Sequence, residues 1–318
     1  MEYTAVIRTL GRAGEKYQML LDSLNRQTLP PKEILVYIAE GYSLPKETIG
    51  KEKYIYVRKG MMAQRALPYD EVTTEYVLFL DDDLYIPEDS IETMFTLMLN
   101  NKADVISPDI YPNATRPLKS EIMMTISGRM KARRKRDGWG YKIMRNGGYS
   151  YAKFPEEDVL LSQTNAGACF LCRKCDFLKI HLEDERWIDA VPYALGDDQV
   201  IYYKMYLNGL KILTWYSHSL IHLDGGQNYT KEKEIALIYS DFRFKTIFWY
   251  RFIYLVDRRQ VSRIVNIICF IYTILFSCLV SIIKLDWKIL RTKIVAVKDA
   301  RRCIESIEFR NLPLVRIV

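Results

Sequence analysis

The chain has 318 residues, 49% hydrophobic and 27% charged, which describes a globular protein with ample core for one large α/β domain or two smaller ones. A net charge of +7 points to an anionic partner, and no stretch resembles a nucleic-acid module, which leaves phospholipid or a phosphorylated substrate. Residues 1–10 enter a strand pattern directly, without a basic start and a long apolar stretch, and the six cysteines lie in apolar or irregular contexts. Neither a secretory signal nor a secreted disulfide framework is visible, so the expectation is a catalytic face in the cytosol.

Tyr3 to Thr9 is an apolar, β-rich run, and Gly11-Arg12 makes a turn. Tyr17, Leu20, Leu21 and Leu24 then recur at helical spacing over residues 13–26. After the break at Pro30-Pro31, Glu33 to Ala39 reads as a second strand and Tyr54 to Val57 as a third. Gly60 opens a predicted helical segment that ends before Thr73-Thr74. Tyr76 to Pro87 (YVLFLDDDLYIP) begins as a buried strand and ends in three carboxylates, Asp81, Asp82 and Asp83. Three adjacent anions repel unless a cation or donors compensate them. Alternate strand residues share a face, so Asp81 and Asp83 can point at one hard divalent cation such as Mg²⁺ or Mn²⁺. An acidic turn at a strand end is the plainer alternative.

Pro87 to Asn100 is a helix with Ile91, Met94, Phe95 and Met98 on one face, and Ala103 to Pro108 a further strand. Residues 109–160 read as irregular, with a basic run from Arg129 to Arg136 that is either a solvated face or a contact for anionic headgroups. Each Lys or Arg near an anionic membrane gains about 1 kcal/mol. Asn165 to Leu171 is a small-residue turn entering a strand. Cys169, Cys172 and Cys175 do not form a metal site, because three-residue spacing in a strand puts the first two on opposite faces. Asp197-Asp198 precede a helix over Val200 to Gly209, either as complements to its dipole or as chemistry. Lys211 to Tyr216 is a strand, followed by His218 and His222. Strands alternating with helices imply right-handed crossovers and a mostly parallel sheet, with ligands beyond the carboxyl ends of its strands.

The order and spacing of these motifs resemble the family 2 glycosyltransferases, with their GT-A (Rossmann-like) nucleotide-sugar-binding fold, from Tyr3 to about Asp224. Val6-Ile7-Arg8-Thr9 stands where that family has its first strand and nucleotide-contacting loop. Gly60 to Arg65 (GMMAQR) resembles its glycine-to-arginine segment, and the interval from Arg65 to Asp81 matches the distance to its D-x-D motif. Asp197-Asp198 resembles the Glu-Asp pair that carries the base, and His222 falls where the family often has a histidine. The second strand ends Ala39-Glu40-Gly41 in place of the family's acidic pair, so Glu40 alone is available to read base or ribose.

The resemblance implies an inverting, metal-dependent transfer of a sugar from a nucleotide-diphosphate sugar to a hydroxyl of a glycan or lipid-linked acceptor, as in polysaccharide biosynthesis. Asp198 would be the general base with Asp197 beside it. Arg8, Thr9, Glu40, Gly60, Arg65, Asp81 and Asp82 would bind the nucleotide sugar, and Asp83, Asp81 and His222 the Mg²⁺ or Mn²⁺. A metal-dependent nucleotidyltransferase and a catalytically silent membrane-bound scaffold are the rival readings.

The expected boundary separates a catalytic domain, 1–235, from a helical region, 236–318. Residues 264–283 are uncharged and long enough to cross a bilayer, with Asn266, Cys269, Thr273, Ser277 and Ser281 on one stripe suited to packing on another helix. Thr246 to Val256 is shorter and interrupted by Arg251. Arg258, Arg259 and Arg263 precede the long stretch, and Lys284, Lys288, Arg291 and Lys293 follow it. Basic clusters at both ends fit a monotopic or peripheral arrangement on the cytoplasmic face of the cell membrane better than one crossing. A buried helix or a dimer interface is the soluble alternative.

Overall fold

The computed structural model describes residues 1–110, 115–223 and 230–315; Asp224, the expected end of the family-like region, lies outside them. The first strand β1 (Tyr3–Thr9) and helix α1 (Glu15–Asn25) are followed by β2 (Glu33–Ala39), β3 (Glu52–Val57) and β4 (Tyr76–Asp81). These four strands are parallel in the order β3-β2-β1-β4, with Arg8 of β1 in register with Asp81 of β4. The two-residue β5 (Leu84–Tyr85) leads to α2 (Ser90–Asn100) and β6 (Val105–Pro108). As the spacing predicts, α2 buries Ile91, Met94, Phe95 and Met98.

The described residues of 109–160, a stretch expected to be irregular, instead supply strands to the far half of the sheet. They form α3 (Leu118–Ile126), β7 (Met130–Arg133), β8 (Trp139–Ile143), β9 (Tyr149–Ala152) and β10 (Val159–Ser162). All four strands are only four or five residues long, and β7, β8 and β9 mix in charged, glycine or tyrosine positions, so no sustained apolar pattern announces them. The basic run Arg129 to Arg136 therefore passes through strand β7, where Arg133 donates to Trp139 O and Gly140 O of the neighbouring segment.

The strand β11 (Cys169–Arg173) returns antiparallel between β4 and β6. Phe170 stacks on Phe79 at 4.7 Å between ring centroids, which locks the centre of the sheet. Cys169 and Cys172 join the two different hydrophobic cores on opposite faces of the sheet, as their spacing requires, and both are free thiols. After α4 (Lys174–Leu178) comes a 3-10 stretch from Leu182 to Ala190, then α5 (Asp197–Leu207), β12 (Ile212–Trp215) and β13 (Ile221–His222). The result is a mixed eleven-stranded sheet, mostly parallel, with β13 paired to β5 in a small second sheet.

Helix α6 (Lys231–Phe248) continues through a π-helical turn, Trp249–Tyr254, to α7 (Gln260–Ile283), α8 (Trp287–Glu305) and α9 (Ile307–Arg310). Phe244, Phe248, Phe252, Ala300 and Phe309 share one core with Val200, Ile201 and Met205 of α5. Arg251, read from sequence as an interruption in an apolar segment, is buried and grips Glu185 with two hydrogen bonds of 2.8 and 2.9 Å. Lys204 of α5 donates to the same carboxylate at 2.8 Å, and Trp187 Nε1 donates to it at 2.7 Å. Glu185 thus ties the 3-10 stretch, α5 and the C-terminal helices together, and its two cations outweigh burial to hold its pKa low.

Candidate active site

The C-terminal ends of β1 and β4 deliver Arg8 and Asp81 side by side, and three other segments converge on them. Arg8 Nε donates to Asp81 Oδ1 at 2.6 Å, and its Nη1 reaches Asp197 Oδ2 at 3.2 Å. Arg65 lies nearly buried between all three remote carboxylates: 3.0 Å from Asp197, 3.4 Å from Asp81 and 3.5 Å from Asp198. Its Nη1 also donates to Gly167 O at 3.0 Å. Two guanidinium groups therefore face three carboxylates.

The imbalance is not shared equally. Burial raises the Asp81 pKa, but Arg8 and then Arg65 outweigh it and hold the carboxyl below its usual range. Asp198 stands at the edge of the cluster, its side chain 38% exposed through the cleft yet closely surrounded by protein. Burial, then the charge of Asp197, push its pKa up to about 7 despite the opposing pull of Arg65 and Arg8. Asp198 Oδ1 is enclosed without a hydrogen-bond donor. A carboxylate with an unsatisfied oxygen and a pKa near neutrality is suited to accept a proton.

Two glycines and an aspartate fit this cluster together. A Cβ on Gly167 would lie 2.1 Å from Asp198 Oδ1, so the turn before β11 has to be glycine for the carboxylate to sit there. The turn from Asn165 to Ala168 reads as small residues in the sequence, but its purpose is visible only here. Residues 60–65, expected to open a helix, form a compact turn held from outside. Asp189 accepts from Met62 N and Ala63 N, both at 2.8 Å, and a Cβ on Gly60 would come within 2.5 Å of the same carboxylate. Donors that a helix leaves unpaired in its first turn are here met by a remote acid. Gly60 is thus a packing position, and Asp189, which no motif flags, sets the position of Arg65.

The acidic triplet separates. The strand ends at Asp81, so the alternation that would aim Asp81 and Asp83 at one cation no longer applies. Asp81 is taken up by the arginines. Asp82 accepts a short hydrogen bond from Thr9 Oγ1, and burial pushes its pKa up to about 6. Asp83 turns to His222, with Oδ1 and Nε2 3.3 Å apart. The small sheet makes that meeting possible: His222 is in register with Leu84, and Leu223 N donates to Asp83 O at 2.8 Å. Among the described residues no three acidic, histidine or cysteine side chains gather as a complete metal cage. Glu40 is exposed at the end of β2. His218 contacts Asp109 O at 3.0 Å, and burial lowers its pKa, which makes it a structural histidine.

A sheet of this order, with a carboxylate-rich cleft at the ends of β1 and β4, has the architecture of the GT-A fold. The solved structure of GalNAc-T7 with UDP, GalNAc and Mn²⁺ has the same fold, at a TM-score of 0.50 and 11% identity. The match covers 82% of this chain and 52% of that one, so the chain spans about half the length of that structure. Residues 15–154 match the family model described as glycosyl transferase family 2. No curated protein matches the sequence.

Proposed function

We propose that this protein is an inverting, metal-dependent glycosyltransferase that moves a sugar from a nucleotide-diphosphate sugar to a hydroxyl of a glycan or lipid-linked acceptor. The observation that carries the reading is Asp198, poised near neutral pH with an enclosed oxygen that no donor satisfies, beside a cluster of two arginines, in a chain whose residues 15–154 match the family 2 model. Asp198 takes the proton of the acceptor hydroxyl as it attacks the anomeric carbon. Attack on the face opposite the leaving group inverts the configuration, through an oxocarbenium-like transition state by analogy with inverting glycosidases. Asp197, clamped by Arg8 and Arg65, keeps Asp198 basic by like-charge proximity. Thr9 with Asp82, and Glu40 at the end of β2, face the nucleotide's base and ribose, and Arg65 approaches the diphosphate.

The Asp83–His222 pair fits a divalent metal. A carboxylate oxygen and an imidazole nitrogen 3.3 Å apart are both suitable donors, and each side chain is only 15% exposed. Two protein ligands leave room for diphosphate oxygens and water, as Mg²⁺ and Mn²⁺ sites on phosphates commonly do. When bound, the metal supplies charge neutralisation for the departing nucleoside diphosphate.

A screen of nucleotide sugars for thermal stabilisation with and without Mn²⁺ tests the donor half of this reading. The expected result is stabilisation by one nucleotide class that needs the metal and is lost in Asp83→Ala, because a ligand that binds only the folded state raises the melting temperature. Stabilisation by no nucleotide sugar, with or without metal, would contradict it.

A further inference from the structure

Two helices far apart in sequence are turned inside out, and they meet. Helix α7 buries Asn266 and Ser281 and shows water its apolar side, with Ile264, Ile268 and Leu275 each about 60% exposed. Helix α3 does the same on a smaller scale. Its only buried residue is Glu121, ion-paired to Lys153 and Arg134, while Leu118, Ile122, Met123 and Ile126 are exposed. Tyr272 of α7 donates to Ile126 O at 2.9 Å, so the two apolar surfaces are contiguous.

The polar stripe of α7 is fixed to the protein along its length. Arg145 donates to Asn266 at 3.0 Å, Asn146 donates to Thr273 at 2.7 Å, and Lys293 of α8 donates to Ser277 and Ser281 at 2.9 and 2.8 Å. Phe270 stacks on Trp249 with centroids 4.3 Å apart. A helix held this way lies along the body of the protein with one face free. Charge says what the face meets. Residues 258–298 carry eight basic side chains and a single carboxylate, Asp286. Arg258, Arg259, Lys284, Lys288 and Arg291 are exposed at the two ends of α7, beside the exposed indole of Trp287. An apolar strip with cations and tryptophan at its margins matches the headgroup boundary of an anionic bilayer.

We propose that α3 and α7 form one docking face for an anionic bilayer surface, with α7 lying in the plane of the headgroups. Gln199, next to the base Asp198, donates to Gly147 O at 2.7 Å, in the same turn that holds Arg145 and Asn146 against α7. Docking therefore places the cleft one hairpin turn from the lipid, within reach of an acceptor carried by the bilayer.

The test is flotation of the full chain with phosphatidylcholine vesicles, with and without phosphatidylglycerol, which reads binding and not transfer. The unaltered protein should float with the anionic vesicles and less with the neutral ones. Ile122→Glu with Met123→Glu should weaken flotation about tenfold at an unchanged melting temperature, since two charges replace inserted apolar groups. Lys288→Glu with Arg291→Glu should remove the preference for anionic lipid. If the α3 pair fails to fold, Leu118→Glu alone should still weaken binding. Flotation unaffected by the α3 substitutions would overturn the shared face, as would a protein dimer dissolved by those substitutions with vesicle binding unchanged.

Discussion

Two buried ion clusters in this protein are built from the same groups and behave in opposite ways. Around Glu185, two cations and an indole donor meet one carboxylate, and every oxygen is satisfied. Around Arg65, two guanidinium groups meet three carboxylates, and Asp198 is left with an enclosed oxygen and a pKa near 7. The first arrangement holds elements together. The second keeps one acid unsatisfied at the mouth of a cleft, which is how a carboxylate becomes reactive at neutral pH.

The sharpest way to break this contrast is to neutralise each acid in turn. Asp198→Asn should lower turnover by about 10²–10⁴-fold, the usual contribution of a general base, while leaving donor binding within a few-fold. Steady-state kinetics with donor titration would check it, and near-normal turnover would remove Asp198 from the role. Glu185→Gln should instead cost about 3–5 kcal/mol of stability, because Lys204 and Arg251 would be left buried without a counter-charge. Denaturant unfolding measures that loss, and a variant as stable as the parent would mean the triad is not what joins the C-terminal helices to α5.

The pH dependence separates the clusters further. With the Asp198 pKa near 7, kcat/KM should fall about tenfold for each pH unit below that point and level off above it. A profile flat between pH 5 and 8 would assign proton removal to another group. The smallest effect is on stability. Unfolded, Asp198 releases its proton near the ordinary value of about 3.9; folded, it holds it to about 7. The native state binds that proton more tightly, so this site costs stability as pH rises through the interval, and Asp198→Asn removes the cost. The melting temperature should therefore rise on this substitution by more at pH 8 than at pH 5. Glu185 runs the other way: its pKa is lowered on folding, so its contribution is present at neutral pH and lost in acid.

Much of the cleft was legible because its parts lie at strand ends. The apolar runs of β1 and β4 mark the strands, and the polar residues that follow them, Thr9 and Asp81 to Asp83, must emerge where such sheets bind ligands. The pair Asp197-Asp198 was visible as two acids before a helix. Asp189 was not, since an acid in an irregular stretch has no pattern until its carboxylate is found on Met62 N and Ala63 N. The strands from Met130 to Ser162 escaped for a related reason. Pairing with neighbours, and not their own composition, makes them strands.

The C-terminal helices show the same division. An uncharged run over 264–283 and its polar stripe can be read from residues alone, as can the basic clusters around it. That the stripe packs on Arg145 and Asn146, and that α3 extends the opposite face, depends on contacts across more than a hundred residues of chain. By itself the sequence determined the strands at the centre, the identity of the acids and the helix with too much apolar surface, because those follow from local composition and period. Only the tertiary structure decided that Asp81 belongs to the arginines, that Asp83 meets His222, and that Asp198 is the acid whose enclosed oxygen receives no hydrogen bond. Charge pairing depends on distance through space, and residues as far apart as Arg8 and Asp197 are neighbours only once the sheet has formed.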